Sequence, residues 1–332
     1  MKTGKYRWFV VGVFFFFMLL HQADKLLVGP LTTPIMEEFG INETQMGLLS
    51  SGAIIVGAIF YPLWGYLCDR FSRARLLSLA SFIWGATTWL SAIAPTYPTF
   101  MVTRASTGID DSSYPGLYSL IGDYFPPKNR GKVYGILQIA MPLGYMIGMV
   151  MALLLSGAIG WRSIFYITGS LGILMAFVIF FGVKEPARGT SEPELENIEQ
   201  TGKYRFEWKI VRDLFKKKSL ILLFMQGFIG VFPWQVITFW FFRYLETERG
   251  FSGNEVMITM VVAILLLAAG YPLGGILGDR LFAKTKRGRL IVSAVGVILG
   301  AVLLFISIKI PYDNNVLFMI MISLTTLFIQ FR

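Results

Sequence analysis

Tyr61-Pro62-Leu63-Trp64-Gly65-Tyr66-Leu67-Cys68-Asp69-Arg70 returns later in the chain as Tyr271-Pro272-Leu273-Gly274-Gly275-Ile276-Leu277-Gly278-Asp279-Arg280. Seven of the ten positions are identical at an offset of 210 residues. Each copy closes an apolar run and opens a basic loop. Arg73 and Arg75 follow the first copy, and Lys284, Lys286, Arg287 and Arg289 follow the second. A repeat this long exceeds any solenoid period. It fits two homologous halves, each built from several membrane helices.

The composition around the repeat agrees. Of the 332 residues, 55% are hydrophobic and only 15% charged, against about 25% charged in a soluble domain. Apolar runs near 20 residues recur, each long enough to cross roughly 30 Å of hydrocarbon. The fold class is therefore all-α and integral to the membrane. Helices are expected over 8–30, 45–67, 76–94, 98–124, 132–157, 163–183, 219–242, 254–278, 289–309 and 315–332. The N-terminal run has no small-residue cleavage site and reads as a retained first helix.

Net charge is +10, but its distribution argues against nucleic acid. Placing the N-terminus in the cytoplasm puts 24 of the 30 Lys and Arg residues on that side and four outside; Lys25 and Arg104 fall within helices. That bias is the positive-inside signature. The expected location is a plasma or inner membrane, with a lipid bilayer as the surrounding partner. The single cysteine, Cys68, has no disulfide partner and reads as a packing residue.

Three parts follow. Residues 1–183 form a six-helix bundle. Residues 184–218 form a cytoplasmic linker, flexible over 184–205. From 206 it becomes a basic amphipathic segment, with Phe206, Ile210, Val211, Leu214 and Phe215 on one face. Residues 219–332 hold four helices. Six helices before the linker and four after it lead to the expectation that two are missing, so that the chain is a fragment or a gene that lost its end. It is expected to be monomeric if complete.

Charge inside a membrane helix costs roughly 3 kcal/mol at the centre and faces the bundle interior or water. The intramembrane ionisable residues are therefore the candidate site. His21 lies three and four positions from Asp24 and Lys25, on one helical face. Arg104 and Asp111 are seven apart and nearly aligned, while Asp110 projects about 100° away. Asp24 and Arg104 come at similar depth, either as a structural ion pair or as a cavity-lining pair that meets substrate. Asp111 is the expected proton carrier and Asp24 the structural partner. Phe232, Trp234, Phe239, Trp240 and Phe241 offer the second half either an apolar cavity wall or, for most of them, a lipid-facing surface.

The repeated Gly-x-Leu-x-Asp-Arg element reads as a gate, a latch that breaks when the cytoplasmic side opens, with a static loop clamp as the alternative. Gly65 and Gly275 permit close helix approach. Asp69 and Asp279 are expected to accept from the N-terminal N–H groups of a neighbouring helix, and Arg70, Arg73, Arg130 and Arg280 supply positive charge for acids such as Asp123. These residues, with Asp123 through Gly131 and with Arg104 and Gly108, resemble the signature elements of the major facilitator superfamily.

A narrower resemblance is to its Spinster-like branch, transporters of lysophospholipids and sphingoid phosphates. It rests on Asp24-Lys25, Thr103-Arg104 through Asp111-x-Ser113-Tyr114, Ala140-x-Pro142-x-Gly144-x-x-x-Gly148, Trp161-Arg162 and Glu185-Pro186-x-Arg188-Gly189. Organic anion:cation symporters are similar in the first and fourth helices. The resemblance implies an alternating-access secondary transporter of an amphipathic or anionic small molecule; Asp111 makes proton coupling the expectation, against a facilitator or a sodium-coupled carrier. No catalytic residue, metal or organic cofactor is expected, and no phosphate-binding glycine loop for ATP is present. A non-transporting membrane protein is the reading from another class.

Overall fold

The computed structural model describes residues 4–189 and 212–331, without the side chains of 230–235. Two compact units emerge, one through Phe241 and one from Phe242. The described residues are helical, and seven of their helices are long and apolar enough to cross a membrane.

In the first unit, α1 (Gly4–Lys25) stops five residues before the expected end. Pro30 cannot donate a backbone hydrogen bond and disfavours helix in the residue before it, so 26–31 turn instead. A short helix not read from the sequence, α2 (Thr32–Phe39), follows and ends on Gly40 at φ +62°. The left-handed conformation there favours glycine. Asn42 then begins α3 (Glu43–Arg70) with a reciprocal capping box. The Gln45 N–H donates to its side chain at 2.9 Å, and its own N–H donates to Gln45 Oε1 at 3.0 Å. The next long helix, α4, spans Arg73–Ile93.

The expected helix 98–124 is three pieces: α5 (Tyr97–Ser106), α6 (Gly108–Asp111) and α7 (Tyr114–Tyr124). Pro115 removes one helical donor. The hydroxyl groups of Thr107 and Ser112 donate to the carbonyls of Arg104 (2.7 Å) and Gly57 (2.9 Å), offering the backbone alternatives to a continuous ladder. Long α8 (Pro127–Ile159) and α9 (Trp161–Gly182) complete the bundle.

Small residues set the distances between these helices. A methyl group on Gly144 or Gly148 of α8 would strike the Leu19 or Ala23 carbonyl of α1, and one on Gly85 of α4 would lie 2.6 Å from the Gly169 carbonyl of α9. Backbone therefore meets backbone along both seams. Gly65 and Gly275 do not have that role, since open space lies where a Cβ would go. Near the first motif the close approaches fall at Gly108 and Gly116, the latter against the Cys68 sulfur. Beside the second they fall at Gly274, against Phe331.

Helix α10 (Lys218–Arg243) spans the boundary between the units. In the first unit its Phe239 and Trp240 pack on a cluster with Phe100, Trp161 and Phe165. The second unit holds a π-helical turn, Tyr244–Glu248, then α11 (Gly253–Phe282), α12 (Gly288–Lys309) and α13 (Asn315–Ile329). Arg249 organises the end of this unit where α12 finishes. It is 5% exposed, lies 3.9 Å from the Phe318 ring centre, and donates to the Ser307, Ile310 and Pro311 carbonyls. A cation there meets the negative end of the α12 dipole.

Of the expected amphipathic segment, 206–211 lie outside the described residues, as do the side chains of Phe232 and Trp234. The described remainder is helical only over 212–214 before Lys218 and leaves Leu214 and Phe215 exposed.

Candidate functional site

The ionisable residues of α1, α5 and α6 converge around a cavity of about 90 Å³, room for roughly three waters. Its wall includes His21, Asp24, Lys25, Trp84, Arg104, Thr107 and Asp111, with Thr238 and Phe239 from α10. Of the five aromatic residues read as wall or lipid-facing surface, Phe239 lines this cavity.

Asp24 is 1% exposed and densely solvated by protein. Trp84 Nε1 and Thr88 Oγ1 each donate to Oδ2 at 3.0 Å, and Thr168 Oγ1 donates to Oδ1 at 2.6 Å. Arg104 brings the opposite charge, its Nη1 lying 3.6 Å from Asp24 Oδ2. That is an ion pair but too long for a hydrogen bond. Among the described residues this buried Nη1 has no hydrogen-bond partner. The guanidinium also lies 5.0 Å above the Phe165 ring.

Asp111 was the expected proton carrier. It is paired with Lys25, Nζ to Oδ2 at 2.6 Å, and both side chains are partly open (26% and 43%). Asp110, expected to project away, is 1% exposed and meets His21 Nε2 through Oδ2 at 2.6 Å. The projection assumed an unbroken helix. The interruptions at Thr107 and Ser112–Ser113 invalidate it, and α6 sets its two aspartates against residues one turn apart on α1. His21 is completed by the Tyr114 hydroxyl, 2.8 Å from Nδ1, by Phe17 stacked on it and by Trp84 edge-on.

The first copy of the duplicated motif is built differently from the expectation. Asp69 is exposed, and it is its backbone carbonyl that is engaged, by Arg188. Arg188 also donates to the Cys68 (2.6 Å) and Phe71 (2.9 Å) carbonyls at the negative end of α3. The carboxylate on the N-terminus of α4 is Glu185, which accepts from the Ala74 N–H at 2.8 Å and from Ser72 Oγ at 3.1 Å. Arg73 bridges Glu185 (2.7 Å) and Asp123 (2.6 Å), and the Gly189 N–H donates to Asp123 at 3.0 Å. Residues 184–189, expected to begin a flexible linker, are thus docked on the bundle.

Arg130 closes α7 through the Gly122 and Phe125 carbonyls. Arg70 lies over the Tyr66 ring at 4.7 Å. In the second copy, Asp279 pairs with Arg289 at 2.7 Å, and Arg280 is exposed.

This duplicated element and the charged cluster sit on a chain of which residues 13–331 match the sequence model of the Major Facilitator Superfamily. The chain belongs to the major facilitator superfamily. Members resembling it include the protein spinster of Drosophila melanogaster, 30% identical over 95% of this chain and 53% of that protein. The cis,cis-muconate transport protein of Acinetobacter baylyi is 29% identical over 97% of this chain and 77% of that one. The chain thus spans about half of the first relative and about three quarters of the second. A crystal structure of a bacterial homolog of the human lysosomal transporter Spinster, inward-facing and occupied, superimposes with a TM-score of 0.81 at 21% identity, over 99% of this chain and 74% of that one. These likenesses support a non-enzymatic facilitator-superfamily protein akin to the Spinster-like branch.

Sequence reasoning did not assign Trp84, Thr88, Thr168, Asp110, Tyr114, Glu185 or Arg188 to a site. The rule that flagged Asp111, an acid inside an apolar run, applied equally to Asp110. Glu185 and Arg188 were marked only as part of the Glu185-Pro186-x-Arg188-Gly189 resemblance, which gave them no role. The neutral donors to Asp24 carry no sequence signal.

Proposed function

We propose that this protein is a secondary transporter working by alternating access on an anionic small molecule, with its N-terminus on the cytoplasmic side of a plasma membrane. We keep the organisation into an N-terminal bundle (1–183), a cytoplasmic connection (184–218) and a second half (219–332). One observation carries the reading. Arg104 is 5% exposed, lines the cavity, and holds a buried Nη1 without a hydrogen-bond partner among the described residues. A buried donor of this kind costs about 1–3 kcal/mol until an acceptor arrives. A carboxylate or phosphate oxygen supplies one, and Lys25, partly open beside it, supplies a second charge.

An anion is supported from two directions, since the muconate relative is named for a dicarboxylate and the resemblance to the Spinster-like branch implies lipid phosphates. In either case the headgroup is negative. A thermal-shift panel on the purified protein tests this with cis,cis-muconate, a lysophosphatidate and an uncharged monoacylglycerol. Stabilisation by one of the anions and not by the neutral lipid is expected, weakening as salt rises. Equal stabilisation by the neutral lipid, or none by either anion, overturns the reading.

A further inference from the structure

The charges of the first-unit cavity do not balance without a proton. Among the described residues around it, three carboxylates (Asp24, Asp110 and Asp111) face two permanent cations, Arg104 and Lys25. Arg104 stands by Asp24, and Lys25 by Asp111. Asp110 is left with His21, whose charge depends on the proton it carries. Both members are almost fully enclosed, at 1% and 3% exposure. An uncompensated carboxylate at that depth is costly. Its Oδ1 has no hydrogen-bond partner among the described residues.

We infer that His21 and Asp110 form a proton-binding site, distinct from the Asp24–Arg104 and Lys25–Asp111 pairs, that loads one proton when an anion enters the cavity. The geometry describes both states. Without the extra proton, His21 Nε2–H donates to Asp110 Oδ2 and the Tyr114 hydroxyl donates to Nδ1. A proton arriving from water adds to Nδ1. The Tyr114 oxygen then turns from donor to acceptor, and the pair becomes imidazolium–carboxylate with no net charge. No bond to Asp110 breaks.

The surroundings explain how anion and proton are linked. The charged and titratable groups near His21 are Asp24 and Lys25 on α1, Arg104 on α5, Asp110 and Asp111 on α6, Tyr114 on α7 and Tyr61 on α3. From α4 comes only the Trp84 ring, while α8 and α9 bring Gly144 and Thr168 against neighbouring turns of α1. An anion drawing on Lys25 and Arg104 weakens their compensation of Asp24 and Asp111. The cavity becomes more negative, and a proton on His21 offsets one unit of that charge. Linkage makes the effect reciprocal: proton binding strengthens anion binding by the same factor. The anion half of this inference rests on the function proposed above, but the proton site itself does not.

His21 is the single histidine of the chain, so its titration can be read without assignment. Nitrogen NMR of the whole protein, labelled with ¹⁵N-histidine and reconstituted in lipid nanodiscs, is run from roughly pH 4 to 9. The imidazole signal is expected to pass between its neutral and protonated positions. Asp110→Asn is expected to weaken proton binding about tenfold or more, because the neighbouring opposite charge is gone. Saturating cis,cis-muconate or lysophosphatidate, whichever the thermal-shift panel finds to bind, is expected to strengthen proton binding. An imidazole that holds one form throughout overturns the inference, and this arm needs no variant. So does a titration indifferent to Asp110→Asn, and so does a bound anion that leaves the titration unmoved. If neither anion binds, the transport reading fails while the histidine titration still decides the proton site.

Discussion

The two copies of the duplicated motif share seven of ten residues and meet different fates. In the first, Arg73 is 3% exposed and bridges two carboxylates, one of them 112 residues away. In the second, the side chains of Arg289 and Asp279 form a single pair at 66% and 67% exposure. The motif therefore does not dictate a buried network. What differs is the company it keeps: Glu185 and Arg188 return to the first copy, cap α4 and tie the end of α3. A short sequence supplies a charged platform, and a remote segment decides whether that platform becomes an anchor or an exposed surface.

Breaking the comparison from the buried side has the largest effect. Arg73→Ala leaves Asp123 and Glu185 facing each other without their cation. It is expected to destabilise the protein by about 3–5 kcal/mol, the cost of orphaning one side of a buried pair. Denaturant unfolding of the purified protein in detergent measures it. A loss below about 1 kcal/mol would show that water already satisfies both acids.

Glu185→Gln keeps the shape of the cap but removes its charge from the α4 N-terminus and from Arg73. About 2 kcal/mol is expected, since the charge-assisted bonds fall to neutral ones. Limited proteolysis near Gly189 should accelerate in the same variant, because the docked segment is held through Glu185 and Arg188. An unchanged cleavage rate would mean that Arg188 alone secures the strap.

Arg289→Ala tests the exposed counterpart. A loss of 1 kcal/mol or less is expected, vanishing at high salt, as for other exposed pairs. A salt-independent loss comparable to that of Arg73→Ala would erase the contrast between the copies.

Asp69→Asn is expected to change stability least of all, within the scatter of repeat unfolding curves. The structure uses the carbonyl of this residue, which the substitution preserves. A clear loss would return the carboxylate to the role first expected of it.

What could be read from the chain follows from what leaves a local mark. Apolar runs, the repeat, and acids or bases within the runs are local, so the all-helical membrane fold and the Asp24–Arg104 meeting were legible. Asp110 was misplaced because an ideal helix was projected through Thr107 and Ser112, whose hydroxyl groups and the nearby Pro115 loosen it. The docking of Glu185 was invisible for another reason. Pro186 and Gly189 punctuate the chain like a linker, and a hydrogen bond to Ala74 across 111 residues has no periodicity to betray it.

The solvation of Asp24 also carries a clock. Its donor Thr168 lies 144 residues downstream. At about 5–20 residues per second, roughly 7–30 s separate the synthesis of the carboxylate from the synthesis of the hydroxyl that completes its shell. Trp84, Thr88 and Arg104 emerge within that interval, one after another. The first helix made thus waits for the last helix of its bundle, and the insertion machinery must shelter an aspartate whose partners are still being translated.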